Sequence, residues 1–286
     1  MVVTGLCFVA VTAIVKFVGD SLPAAQAGFM RYALGLVLLI PMIPAMRRAS
    51  ISRPDLGIFA VRGLLQTAGV ILWFYSMTQI SIAEVTAMNY LSPVYVTLGA
   101  ALFLGEPLAA RRILAVLAAL VGALIILRPG VREVSPGHIA MLFTAATFAG
   151  SYLIMKRLTD RHEASVIIFM LSVTVTIGLA PVAWAVWVPP TWSQVGWMFA
   201  VAVFATAGHY TMTLAFRAAP VAVTQPVTFL QLIWATALGA LAFGEPVDAW
   251  VVIGGTLILS SITFITWREH ILKRRTIAPP HMATKV

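Results

Sequence analysis

The chain has 286 residues, of which 60% are hydrophobic and only 10% charged, with a mean hydropathy of +0.96 and a formal charge of +9. A water-soluble domain carries roughly a quarter of its residues as charge, so a globular protein with this little polar surface is excluded, and the outer face must meet lipid. The positive excess alone would also suit a nucleic-acid footprint; its position along the chain decides.

Crossing a hydrocarbon core of about 30 Å takes roughly 20 helical residues. Apolar stretches of that kind lie near 1–18, 24–44, 56–77, 82–104, 111–127, 138–156, 165–187, 193–216, 220–243 and 250–267. The first lacks a basic start and a small-residue cleavage site, and reads as a helix rather than a signal peptide. Cys7 is the single cysteine, so no internal disulfide is expected. Breakers separate the stretches: Gly19-Asp20, Pro44, Arg53-Pro54, Gly105-Glu106-Pro107, Arg128-Pro129-Gly130, Pro189-Pro190 and Gly244-Glu245-Pro246.

With the N-terminus in the cytoplasm, the inner loops hold Arg47, Arg48, Arg53, Arg111, Arg112, Lys156, Arg157, Arg161 and Arg217. The tail adds Arg268, Lys273, Arg274, Arg275 and Lys285. Together these are fourteen of the 19 basic residues, against Arg128 and Arg132 outside. This is the positive-inside pattern. Both termini are expected in the cytoplasm of a bacterium, the chain in its inner membrane, and no nucleic-acid partner. Lys16, Arg31 and Arg62 fall within spans, and Lys16 is expected to pair with Asp20 four residues on.

The second half repeats the first. Gly105-Glu106-Pro107 recurs as Gly244-Glu245-Pro246, and Thr67-Ala68-Gly69 recurs as Thr206-Ala207-Gly208, both at an offset of 139. Earlier the offset is 140, where Phe29-Met30 matches Phe169-Met170, Pro41 matches Pro181 and Lys16 matches Lys156. A single one-residue gap therefore aligns five helices with five. Five is odd, so the second half enters the membrane inverted. The expected fold is an all-α membrane protein of ten transmembrane helices, arranged as two inverted five-helix repeats over 1–130 and 138–270. A basic, disordered tail is expected over 271–286. Inverted repeats are typical of secondary transporters, whose solute site lies near midplane between the halves.

Ten helices in two halves, with Gly-Glu-Pro after the fourth and the ninth, resemble the EamA branch of the drug/metabolite transporter superfamily. The resemblance covers essentially the whole chain, and within that branch it is greatest to bacterial amino-acid exporters, including those for aromatic amino acids. It implies a transporter whose helices before each Gly-Glu-Pro are central. At helical spacing the fourth span presents Asn89, Ser92 and Tyr95, and its repeat mate presents Thr228, Gln231 and Trp234. A solute cavity between the halves would use both stripes; interhelical hydrogen bonds of about 0.6–2 kcal/mol each are the alternative. The third span adds Gln66 and Trp73 beside Arg62, the sixth Ser151 and Tyr152, the eighth His209. Pro93 and Pro226 interrupt the two central spans and are candidate hinges, although proline is frequent in transmembrane helices.

Only Glu84 among the acidic residues lies near a span interior, close to an end. Proton-coupled carriers normally hold an intramembrane titratable group, and His209 is the remaining candidate. Facilitative export of a net-neutral solute, such as an amino acid, is therefore expected, by a single chain and without cofactor. An intramembrane hydrolase would need a nucleophile with a base and an orienting acid, and no suitable buried acid accompanies Ser92, Ser151 and His209. No HExxH, CxxC or phosphate-binding loop is present.

Overall fold

The computed structural model describes residues 1–104, 110–131, 133–159, 161–218 and 229–277. In chain order the helices are α1 (Val2–Val18), α2 (Ala24–Leu38), α3 (Ile43–Arg48), α4 (Arg53–Gln79), α5 (Ile82–Asn89) and α6 (Leu91–Leu104). They continue as α7 (Ala110–Leu127), α8 (Pro136–Thr159), α9 (Ala164–Ala185), α10 (Trp192–Ala218), α11 (Phe229–Phe243) and α12 (Ala249–Ile277). No strand occurs among the described residues, and each of the ten expected spans holds helix. Thr228, Pro226 and the first Gly-Glu-Pro lie outside the described residues.

Helix ends follow local chemistry. The Ser52 hydroxyl accepts from the Asp55 N–H at the start of α4. Ser81 and Glu84 form a reciprocal capping box at the start of α5, which satisfies two donors that a helix start leaves unpaired. Gly19 and Gly244 stop α1 and α11 at φ of +63° and +64°, where a side chain would be strained.

Three boundaries differ from the expectation. The fourth span is two helices broken at Tyr90: Pro93 has no N–H for the carbonyl four residues back, and its ring crowds that carbonyl, which belongs to Asn89. The second span bends by 56° into α3, through a 3₁₀ turn, Ile40–Met42, that contains Pro41. Finally, α12 runs to Ile277, into the segment expected as a tail, because no glycine or proline stops it before Pro279.

The two halves interlock rather than sit side by side. The α4·α8 and α10·α1 contacts exchange under the repeat, whereas α2·α9 and α7·α12 map onto themselves. This is the pattern of a two-fold axis. It holds at single residues: a Cβ on Gly69 would lie 2.5 Å from Phe148, and one on Gly208 would lie 3.4 Å from Phe8. Gly69 and Gly208 end the repeated Thr-Ala-Gly, and Phe8 and Phe148 are repeat mates. Where α7 crosses α12, Gly122 and Gly254 face each other, each leaving room for the other's backbone carbonyl. Small residues let membrane helices approach closely enough for dispersion to hold them. Outside, Phe17, Leu64, Leu114, Phe143, Ile177 and Leu241 are exposed, as lipid contact allows.

Candidate functional site

The two ends of the bundle differ. At the end that carries Arg47, Arg48 and Arg161, here the basic end, five helices (α2, α4, α8, α9 and α10) enclose a cavity of about 290 Å³. That is near the small end of the roughly 300–1,000 Å³ of small-molecule sites. The lining residues run from the middle of these helices, at Gln66, toward the basic end, which the cavity reaches at Leu39, Met155 and His162.

Its wall combines two cations with neutral polar and apolar groups. Arg31 and Arg62 are 6% and 4% exposed. The Arg31 guanidinium lies 3.9 Å from the centroid of the Tyr32 ring, a favourable cation–π distance. Arg62 Nη1 donates to the Ile167 carbonyl at 3.3 Å. The Nε of each arginine has no partner among the described residues. Gln66, Tyr32, Tyr152, Ser172, Thr206 and His209 supply the neutral polar groups, and no Asp or Glu lies among the described lining residues. His209 stands edge-on to Phe8 at 5.2 Å. No group of three His, Cys, Asp or Glu that could hold a metal gathers among the described residues.

At the opposite end polar contacts tie the helices together. Glu245, of the second Gly-Glu-Pro, pairs with Lys16 and accepts from the Ile82 N–H at 3.1 Å. Lys16 also donates to the Ile80 carbonyl at 2.9 Å. One carboxylate thus joins α1, the start of α5 and the end of α11. Lys16 does not find its partner in Asp20 as expected: α1 ends at Val18 and a 3₁₀ turn follows, so the i,i+4 geometry is not continued. Glu84, beyond its capping box, meets His138 at 3.1 Å; Arg128 pairs with Asp248. The Gln26 side chain both donates to and accepts from the Val188 backbone, at 2.6 and 2.9 Å.

Of the residues singled out from the sequence, Gln66, Tyr152 and His209 line this cavity. The others stand elsewhere. Trp73 is buried against Phe148, which in turn packs on Tyr152, at centroid distances of 6.1 and 6.4 Å, an aromatic row leading inward from the cavity. Trp73 Nε1, Asn89 Oδ1, Ser92 Oγ and Ser151 Oγ are buried with no partner among the described residues. Tyr95 is partly buried and packs at the edge of the main apolar core. Gln231 and Trp234 lie against Gly5 of α1, so the stripe on α11 faces α1. Pro93 sits at the α5–α6 break. Arg31, Tyr32 and Ser172 had no motif to mark them, and Thr206 was marked only as the start of the repeated Thr-Ala-Gly; the signal available for Arg31 was an arginine inside an apolar span with no acid at i±3 or i±4.

Comparison with known proteins gives a family and several relatives. The EamA-like transporter family matches residues 1–128 and again 135–267. A pseudopaline exporter of Pseudomonas aeruginosa is 28% identical over 260 residues, covering 90% of this chain and 91% of that one. A riboflavin transporter of Rhizobium johnstonii is 29% identical, covering 94% and 90%. An S-adenosylmethionine uptake transporter of Rickettsia prowazekii is 20% identical, covering 89% and 86%. A crystal structure with 16% identity superposes with a TM-score of 0.62, covering 93% of this chain and 97% of that one; at that identity it shows the fold alone.

Proposed function

The chain belongs to the EamA-like transporter family, a multi-pass membrane transporter and not an enzyme, and on that premise we propose that it exports small metabolites by alternating access. The basic end is taken as cytoplasmic, from the positive-inside pattern. The described conformation is then the one that loads from the cytoplasm, with the far side shut by Lys16 and Glu245. Neutral and aromatic amino acids are the first candidates for cargo.

The observation that carries this reading is the cavity itself: polar and aromatic groups gathered on one side of a bundle whose other side is tied. Gln66, Tyr152 and His209 would touch the solute first. Trp73, Asn89, Ser92 and Ser151, whose buried polar atoms have no partner among the described residues, would take up its polar groups further in; buried polar atoms without partners are costly unless something visits them. Gln231 and Trp234 would move against α1 as the path opens, Thr228 would belong to the same binding stripe, and Pro93 and Pro226 would serve as hinges. A facilitative mode is favoured because Glu84 is already committed to its capping box and to His138.

Counterflow of labelled phenylalanine, tryptophan, threonine and methionine in proteoliposomes tests the reading. Saturable exchange is expected, with Gln66→Ala and Tyr152→Ala each reducing it about tenfold, the effect of some 1.4 kcal/mol of lost contact. Gln231→Ala and Trp234→Ala should slow turnover while leaving half-saturation nearly unchanged. Absence of exchange for every amino acid by folded protein removes amino acids as cargo.

A further inference from the structure

Resting on the carrier reading above, we propose that the cavity is an anion site, in which Arg31 and Arg62 together hold the carboxylate end of a small organic acid with net negative charge and an apolar, preferably aromatic, body.

The argument starts from charge balance. A guanidinium is a cation that presents five N–H donors and no acceptor. Taking a cation out of water costs several kcal/mol unless a counter-charge and hydrogen bonds compensate it. The other described cations inside the bundle obey this: Lys16 faces Glu245 and Arg128 faces Asp248. Arg31 and Arg62 do not. They are more buried than either, at 6% and 4% exposed, and their described partners are one backbone carbonyl and one aromatic face. Two Nε donors remain unused.

A permanent structural role would leave that cost standing. A transported anion removes it each time it binds, because guanidinium forks match carboxylate oxygens two at a time. The walls supply the rest: the Tyr32 and Tyr152 rings suit an apolar or aromatic body, and Gln66 offers both a donor and an acceptor. A zwitterion fits less well. Its carboxylate would be held, but no described lining residue offers an acid to its ammonium, and two cations would repel it. The preferred cargo is therefore an amino-acid-like molecule whose amine is acylated, replaced by a keto group, or offset by a second carboxylate.

The test is a charge series on one scaffold: phenylpyruvate, N-acetylphenylalanine, phenylalanine and phenylalaninamide, each titrated into purified full-length protein and read by thermal shift. The two acids should bind at least tenfold more tightly than phenylalanine, and the amide not at all. Arg31→Gln and Arg62→Gln should each weaken the acids tenfold or more, and Arg31→Lys should restore part of the loss. The wild-type series alone decides the matter if a glutamine variant fails to fold. Equal affinity for acids and zwitterion, acid binding indifferent to both glutamine variants, or no binding of either acid overturns the assignment. Amino-acid counterflow that persists in any of those cases leaves the carrier reading standing. Arginine-dependent binding of the acids by protein that exchanges neither acids nor amino acids upholds the site and removes the carrier reading instead.

Discussion

The sealed end and the basic end of the bundle descend from the same repeated sequence, yet they are held in different ways. At the sealed end Glu245 does three things at once: it neutralises Lys16, caps the first turn of α5 and closes the turn after α11. At the basic end the exposed Arg161 donates directly to the buried Asp55 at 3.2 Å, and the Asp55 carboxylate is already served by Ser52 and His162. Two-fold related helices need not make two-fold related contacts at one moment. In a carrier that alternates, the difference between the ends is what defines the state.

That asymmetry can be broken from either side. The largest effect is expected from Glu245→Ala. It strands Lys16, whose side chain is 21% exposed, and uncaps Ile82. Removing one partner of a buried pair costs about 3–5 kcal/mol, and partial exposure places this case toward about 3. A fall in unfolding temperature in detergent should report it. The Lys16→Met, Glu245→Gln double variant should recover much of the loss, since no bare charge remains. Stability unchanged in the single variant would mean that the pair holds nothing.

Gly254→Leu comes next, and it probes a crossing that belongs to neither end. Its Cβ would lie 2.5 Å from the Gly122 carbonyl oxygen, and overpacking of this kind costs about 1–3 kcal/mol. Resistance to unfolding by sodium dodecyl sulfate should fall. If it does not, α7 and α12 cross less closely than described. The smallest effect belongs to Arg161→Ala. Its side chain is 65% exposed, and exposed pairs contribute about 0–1 kcal/mol. A loss here as large as that at Glu245 would erase the contrast between the ends.

Much of the fold was readable from the residues, because hydropathy and repeat offsets are properties of sequence alone. The Thr-Ala-Gly match anticipated two glycines in equivalent places, and both prove to receive equivalent phenylalanines. What the second Gly-Glu-Pro does was not readable. Its glutamate acts on Lys16 and Ile82, which only folding brings near. The polar stripes show the same limit. Helical spacing tells which side chains share a face, but not which neighbour that face meets, and the break at Tyr90 interrupts the spacing between Asn89 and Ser92. Arg31 and Arg62 were visible as oddities within apolar spans; that no described lining residue is acidic is a fact about helices packed together.

Two guanidiniums with no carboxylate beside them among the described residues also make the cavity an electrical object. A charge that traverses the full membrane field changes in energy by about 2.3 kcal/mol per 100 mV. Turning the vacant cavity from one face to the other moves part of two such charges, while a bound anion subtracts from them. A potential negative at the basic end therefore holds the unladen protein with its cavity facing that side. Voltage therefore acts most strongly on the reorientation of a vacant carrier and more weakly on the crossing that bears cargo.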